Sequence, residues 1–195
     1  MARYVVYGKN ADDRDHDKIG GSSLLPASAS WPVDRAGRKM LFLASVSADW
    51  LKSECGIVIP QDHVLSIFCP YQKGSIEHSI DMARGREFGC VVSHPAKAPR
   101  QEFADAIFEP RKLELNVDFE TDEDEFSDDI DDKIGGTPNW LQDRFDYSGH
   151  DFVLQISGLC FGKVVPTHKD LLMGGVLYVF YNSSSNAGRV TLQYS

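Results

Sequence analysis

The sequence has no excess of basic residues and no long hydrophobic run. Its 20 lysines and arginines stand against 29 aspartates and glutamates, a net charge of −9, whereas a nucleic-acid-binding surface needs the opposite balance. No run approaches the roughly 18 apolar residues of a membrane span. The apolar run within residues 1–10 is shorter than the core of a secretion signal, about 7 to 15 residues. The sequence predicts a cytoplasmic protein that binds neither nucleic acid nor membrane.

Motifs that carry catalysis or hold a metal are also missing. The four cysteines have no CxxC spacing, so we expect them to pack as small apolar residues. The six histidines show no HxxxH or HExxH spacing, and neither a GxSxG elbow nor a glycine-rich phosphate loop occurs. We predict no cofactor, no metal and no enzymatic activity. A cysteine and a histidine that meet only in the folded chain stay open as a catalytic pair.

One five-residue phrase, Asp-Lys-Ile-Gly-Gly, occurs twice, at 17–21 and at 132–136. Each copy is followed in the same order by a proline and a tryptophan, a further glycine and two apolar runs. The apolar runs are 41–47 and 64–68 after the first copy, and 151–157 and 176–180 after the second. An order that persists while the spacings change indicates an internal repeat. We predict repeats over 17–70 and 132–182.

The paired glycines of the two phrases are predicted to form tight turns, because a residue without a Cβ reaches positive φ at little cost. A ligand cradle is the alternative interpretation. The four glycines are Gly20, Gly21, Gly135 and Gly136. Domains below about 60 residues struggle to be stable alone, and each repeat is about that short. We therefore expect both repeats to share one core in a single domain over 1–195.

Strand-like patterns dominate the remainder of the chain. Residues 113–119 alternate between apolar and polar, as half-buried strands do, and 89–95 and 189–194 are further predicted strands. A helix is predicted over 75–84 from its apolar spacing, and 48–55 is a turn or a short helix. The predicted fold is α+β and mainly β. It has antiparallel sheets from an internal duplication around one core, and few short helices.

Residues 118–132 hold ten carboxylates and no basic residue. Without these ten the net charge of −9 would become +1, so nearly all the excess lies here. The stretch follows a predicted central insert (71–117), and 118–131 is the predicted connector between the repeats. A run of like charge is either a solvated connector or a surface that attracts a basic partner. The residues predicted to bind a partner are Asp122, Glu123, Asp124, Glu125, Asp128 and Asp129.

Trp31 and Trp140 occupy matching places in the two repeats. A tryptophan of this kind usually fills the core, with its indole N–H bonded to a partner. The alternative is a ligand groove between the repeats, because binding pockets favour apolar walls and domain interfaces. Gln142 and Gln155 are the predicted polar contacts of that groove.

Several short motifs resemble the YwqG-like family of uncharacterised bacterial proteins. The phrases at 18–21 and 133–136 match its K-[IL]-G-G motif, 152–156 matches its F-L-x-Q-[IL] strand, and 175–180 matches its G-x-L-x-F-F strand. The first repeat departs from the pattern, since Ser45 stands where the second has Gln155. The resemblance implies a duplicated β-rich fold. Through members encoded beside toxin genes, it also implies an immunity-type role.

These observations predict a cytoplasmic protein-interaction module, specifically an immunity protein that neutralises a basic toxin. The acidic stretch would then be its partner-binding surface. A small-molecule-binding protein with a groove between the repeats is the alternative. The two hypotheses use different residues, so they can be tested separately.

Overall fold

The computed structural model describes residues 2–12, 14–97, 110–119 and 130–194. This part of the chain contains ten strands and three α-helices. The strands are β1 (Arg3–Asn10), β2 (Lys18–Ile19), β3 (Leu41–Ser47), β4 (His63–Cys69), β5 (Gly89–Pro95), β6 (Arg111–Phe119), β7 (Lys133–Ile134), β8 (Asp151–Ser157), β9 (Val176–Asn182) and β10 (Ala187–Gln193). The helices are α1 (Ala48–Cys55), α2 (Glu77–Ala83) and α3 (Gly158–Val164), followed by a 3-10 turn at Pro166–His168.

The strands form one closed antiparallel barrel. Their order around it is β1-β6-β2-β3-β4-β5-β10-β9-β8-β7, and β7 pairs with β1 to close the ring. Every pairing is antiparallel. The predicted α+β, mainly β fold with antiparallel sheets and few short helices is therefore confirmed.

The barrel has two halves of five strands each: β1 to β5 form the first half, and β6 to β10 form the second. When each strand is exchanged with its counterpart in the other half, β1 with β6, β2 with β7 and so on, the order around the ring is the same, read in the opposite direction. In each half the leading strand pairs with the second strand of the other half, β1 with β7 and β6 with β2. Each half therefore needs strands of the other half to satisfy the hydrogen-bonding edges of its own strands. The repeat boundaries at 17–70 and 132–182 stay a prediction, and the topology places β1 and β6 beside them.

The barrel interior is one apolar cluster that takes at least one residue from every strand. The opposite face of the sheet carries separate apolar clusters, each covered by a loop. The first covering loop comprises residues 22–40, and the second covering loop comprises residues 137–150. Leu25 of the first loop packs on Phe42 and Phe68, and Trp140 of the second packs on Tyr178 and Phe180. The sheet is thus buried on both faces where these loops lie.

The helices show how well local pattern predicts local structure. Helix α1 begins at the Ser47 cap, whose hydroxyl accepts the Trp50 N–H, and ends at Gly56 in the left-handed region. Helix α2 lies within the predicted range 75–84. Helix α3 was not predicted, because two glycines at 158 and 162 weaken its local signal.

Candidate functional site

All four glycines of the repeated phrases have positive φ, between 69° and 72°. The first glycine of each pair donates its N–H across the sheet, Gly20 to Leu43 O at 2.7 Å and Gly135 to Val153 O at 2.9 Å. A side chain at Gly135 would collide with the Glu54 carbonyl oxygen at the end of α1. This turn is therefore where the second half meets the first most closely.

The aspartate of each phrase makes the same hydrogen bond in both halves. The Asp17 carboxylate accepts the Ser47 N–H at 2.7 Å, and the Asp132 carboxylate accepts the Ser157 N–H at 2.5 Å. Burial raises the pKa of Asp17, and it raises the pKa of Asp132 to about 6. The Tyr7 hydroxyl also interacts with Asp132. These aspartates fix the points at which α1 and α3 start.

The lysine of each phrase is almost completely buried, with exposed fractions of 0% for Lys18 and 1% for Lys133. Each lysine lies directly opposite a polar residue of the next strand, Lys18 opposite Ser45 and Lys133 opposite Gln155. Directly opposed residues of neighbouring strands share a face of the sheet. Each lysine therefore begins a polar row across the outer face of the barrel.

The next strands extend both rows: Ser66 lies directly opposite Ser45 and Tyr178 directly opposite Gln155, whereas His94 and Gln193 lie diagonally, two residues beyond the direct partners of Ser66 and Tyr178. Matching positions in the two halves are Ser45 with Gln155, Ser66 with Tyr178, and His94 with Gln193. We call Ser45, Ser66 and His94 the first row, and Gln155, Tyr178 and Gln193 the second row. All six are buried. The rows lie under the first and second covering loops, respectively.

The second row binds the backbone of the loop above it. The Gln155 amide oxygen accepts the Asn139 N–H at 3.0 Å, and its amide nitrogen donates to Asp131 O at 2.8 Å and to Asn139 Oδ1 at 3.1 Å. The Tyr178 hydroxyl donates to Asn139 O at 2.7 Å. Loop residue 139 is thereby fixed through its N–H, its carbonyl and its side chain.

Gln193 fixes three consecutive residues further along the same loop, 141 to 143. Its amide oxygen accepts the N–H groups of Leu141 at 3.1 Å and Gln142 at 3.2 Å. Its amide nitrogen donates to Asp143 O at 2.8 Å. A single side chain from β10 therefore satisfies three loop backbone groups that would otherwise need water.

The first row does not bind its loop in this way. Ser66 Oγ and His94 Nε2 are 2.7 Å apart, and His94 Nδ1 is 3.1 Å from Pro95 O. The Ser45 hydroxyl has no hydrogen-bond partner among the described residues. Within that part of the chain, none of the three side chains bonds to the first covering loop. That loop is held by apolar contacts of Leu24 and Leu25 and, at Arg35, by hydrogen bonds of its N–H to Glu87 at 2.7 Å and of its guanidinium to Asp81 at 2.8 Å.

The four residues predicted to line a groove lie at separate places. Trp31 packs edge-on against Phe68 and donates its indole N–H to Met40 O at 2.8 Å. Trp140 is 2% exposed and belongs to the cluster under the second covering loop. Gln155 is fully buried beneath that loop. Of the four, only Gln142 is exposed.

Gln142 lines an open cleft of about 660 Å³ between the two halves. One wall is the end of α2, with Ala83, Arg84 and Gly85, and the other is the second covering loop from Gln142 to Phe145. Gln193 forms part of its base. Among the described residues, this cleft is a candidate binding site between the halves.

A second polar cluster also joins the halves. Tyr71, which follows β4, donates its hydroxyl to Asp170 at 3.0 Å, and the Gly74 N–H donates to the same carboxylate at 3.3 Å. The rings of His78 and His168 pack on Tyr71 with centroids 5.2 and 5.4 Å away. Both histidines are buried. This cluster cross-links the halves.

The six residues predicted to bind a partner lie outside the described residues: Asp122, Glu123, Asp124, Glu125, Asp128 and Asp129. The structure does describe the strands on either side of them. Both Phe119 of β6 and Ile134 of β7 pair with Arg3 of β1. The chain therefore enters and leaves the acidic stretch on the two sides of β1.

Comparison with protein families identifies the chain. The family described as Domain of unknown function (DUF1963) matches residues 17–170. The chain belongs to this family. The matched range includes both repeated phrases and runs from β2 to just beyond the 3-10 turn. A comparison with curated proteins found no match.

The part of the chain that the structure describes lacks two further features. No group of three or more His, Cys, Asp or Glu side chains is placed there to hold a metal ion. No helix in those ranges is long and apolar enough to cross a membrane.

The polar rows could have been suspected from single polar residues within apolar strands, such as Ser66 in 64–68 and Gln155 in 151–157. Which of them bind the covering loops was not visible in the sequence.

Proposed function

We propose that this protein is a protein-binding module that captures a basic partner through its acidic stretch. The supporting observation is the charge distribution. Ten of the 29 carboxylates fall within residues 118–132 without one basic residue, and they account for the whole negative excess. Concentrated charge of one sign accelerates encounter with an oppositely charged protein and selects against others.

The anchoring of the stretch supports this role. Its two ends are held by β6 and β7 on either side of β1, so a bound partner would meet the barrel at the start of β1. Phe119 and Phe126 add apolar residues to the acidic sequence, and aromatic residues are enriched at protein interfaces. The specific form that we propose is immunity: one copy binds and neutralises one basic toxin. This form rests on the resemblance to the YwqG-like family.

The test is binding of a basic partner, first captured from the native host and then purified. The variant replaces Asp122, Glu123, Asp124 and Glu125 by Asn or Gln. The matched control neutralises four exposed carboxylates elsewhere: Asp49, Asp62, Glu77 and Asp151. We expect a 1:1 complex that weakens with salt, is lost in the acidic-stretch variant and persists in the control. Equal binding by both variants would make the stretch a connector only.

We propose small-molecule binding as a second candidate function, because the cleft at Gln142 lies between the two halves. Its size falls within the usual range for ligand pockets, about 300 to 1,000 Å³. A bound ligand should raise the melting temperature, and Gln142→Ala should abolish that rise. Trp140→Ala is unsuitable here, because Trp140 is buried and its loss would itself lower stability.

A further inference from the structure

We propose that protonation of His78 releases α2 from the second half of the barrel, so that this contact between the halves depends on pH. The device consists of the histidine, the helix that carries it and the cluster of Tyr71 and Asp170 that cross-links the halves. The helix ends at one wall of the cleft, which residues 83–85 line. Release of α2 would therefore also open the cleft.

Helix α2 is attached on two sides by different kinds of contact. Toward the first half, the Asp81 carboxylate accepts a hydrogen bond from the Arg35 guanidinium at 2.8 Å, and the Arg35 N–H donates to Glu87 at 2.7 Å. The other acid of the helix, Glu77, lies on this side as well. Toward the second half the helix presents the buried His78 ring. Loss of the second attachment would leave the helix tied to the first half.

The His78 side chain is buried without the hydrogen bonds that a buried imidazole normally makes. Only 2% of the residue is exposed, and neither Nδ1 nor Nε2 has a hydrogen-bond partner among the described residues. The ring packs edge-on against Tyr71, with the ring centroids 5.2 Å apart. Most buried polar atoms are paired, and a buried charge is costly unless it is paired and hydrogen-bonded. The neutral ring fits this place better than the charged ring.

The charged groups around His78 do not offset its burial. Burial is the largest influence and lowers the pKa of His78, and the Arg38 guanidinium lowers it further. The carbonyls of Asp170 and Leu171 and the Asp170 carboxylate act in the opposite direction, with smaller effect. That carboxylate already accepts the Tyr71 hydroxyl at 3.0 Å. It is therefore shared rather than reserved for an imidazolium.

The other titratable groups beside the helix provide no further negative charge. His168 of the second half packs on the Tyr71 ring, with the centroids 5.4 Å apart. Tyr194, which follows β10, interacts with Ser79 of α2. Burial raises the pKa of both tyrosines, so both phenols stay neutral in acid. A protonated His78 gains no anionic partner from them.

Protonation therefore favours a state in which the His78 ring has reached water. In that detached state the ring titrates near its ordinary pKa of about 6.5, whereas in the attached state it titrates lower. Between these two values, the ratio of detached to attached helix rises by up to about tenfold for each pH unit lost. The second half has no equivalent helix, because β9 and β10 are joined by the short turn at 183–186.

The experiment follows the whole protein by NMR between pH 7.5 and 5. The ring signals of His78 give its pKa, which we expect below 6.5. Hydrogen exchange of the backbone amides, corrected for the intrinsic effect of pH, gives the opening of α2 and of the core strand β9. We expect the opening of α2 to increase by up to about tenfold per pH unit on acidification, and β9 to stay protected.

Two variants, His78→Gln and His78→Phe, remove the titrating group, and Phe keeps an aromatic ring against Tyr71. The opening of α2 should then be the same at pH 7.5 and 5.5. His94→Gln is the matched control, because His94 is also buried but contacts Ser66 and Pro95 rather than α2. It should keep the wild-type response.

Four results would overturn the inference. They are a His78 pKa of 6.5 or higher, a wild-type α2 whose opening does not change with pH, a response that both His78 variants retain, and equal loss of protection in α2 and β9. The last result would mean that acid unfolds the whole barrel rather than releasing one helix.

Discussion

The two covering loops occupy equivalent places on the barrel but are attached at different points. The second is bound through its backbone by the row beneath it, Gln155, Tyr178 and Gln193. The first packs on the sheet through Leu24 and Leu25 and is hydrogen-bonded at its far end, where the Arg35 N–H donates to the Glu87 carboxylate at 2.7 Å and the Arg35 guanidinium pairs with Asp81 at 2.8 Å. Hydrogen bonds fix direction and distance, so a duplicated frame can hold one loop from the sheet beneath it and the other from the segment around α2.

The tryptophans of the two loops give the largest expected difference. Trp140→Ala should lower the free energy of unfolding by about 3–5 kcal/mol, the usual cost of emptying a large buried site, because only 2% of Trp140 is exposed. Trp31→Ala should cost less, since Trp31 is only partly buried. Urea unfolding of both variants measures this. Equal losses would mean that the loops are equally important to stability.

The buried aspartates should give the next largest effect, through pH. The pKa of Asp132 is raised to about 6 by burial, so the unfolded chain ionises first as pH rises. Protonated Asp132 therefore contributes about 3 kcal/mol to the free energy of unfolding below about pH 4, and this contribution is lost by pH 6. Asp132→Asn should remove this part of the pH dependence, measured by urea unfolding from pH 4 to 8.

Asp17→Asn is the matched variant in the first half. Burial raises the pKa of Asp17 as well, so Asp17 also makes the folded chain less stable as pH rises. We expect it to be smaller, because Asp17 is partly exposed and Asp132 is not. An unchanged pH profile in Asp132→Asn would refute the assignment of this titration to Asp132.

The polar rows differ at one matched pair of residues that can be tested directly. Gln155→Ala should lower the free energy of unfolding by about 2 kcal/mol, since the Asn139 N–H and the Asp131 carbonyl lose their partner. Ser45→Ala should be neutral or slightly stabilising, because the Ser45 hydroxyl has no hydrogen-bond partner among the described residues. Chemical denaturation distinguishes the two. A comparable loss in Ser45→Ala would show that the first row also supports its loop.

The smallest effect is expected at His94, the first-row counterpart of Gln193. Burial lowers the pKa of His94, and the nearby His63 adds to this. The folded chain therefore resists protonation, and stability falls as pH drops below about 6.5. His94→Gln should flatten this fall while changing stability at pH 8 by less than about 1 kcal/mol. Unfolding curves at pH 5.5 and 8 measure both values. If the variant still lost stability at pH 5.5, another histidine would be responsible.

Local patterns predicted much of the fold because they depend on neighbours along the chain. Alternation identified 113–119, which became part of β6, and helical spacing identified α2. Local signals failed where glycine content obscured a helix, as in α3. They also failed for β2 and β7, since two-residue strands such as Lys18–Ile19 are defined only by their partners.

The candidate site was predictable only in part. Gln142 was singled out from the sequence and does line the cleft between the halves. Arg84 was not, because it lies at the end of α2, outside both predicted repeats. Trp31 and Trp140 pack from the covering loops onto the sheet, and Gln155 lies beneath the second loop. Sequence reasoning could not separate residues that attach a loop from residues that face solvent.

By itself, the sequence determined the mainly β composition, the repeated Asp-Lys-Ile-Gly-Gly phrase and the concentration of charge at 118–132, because each is a property of nearby residues. Only the tertiary structure decided that β1 pairs with β7 and β6 with β2, that one polar row binds its loop while the other does not, and that Arg84 and Gln142 line the same cleft. These contacts join residues far apart in the chain. Their geometry depends on closing the whole barrel, which no local pattern encodes.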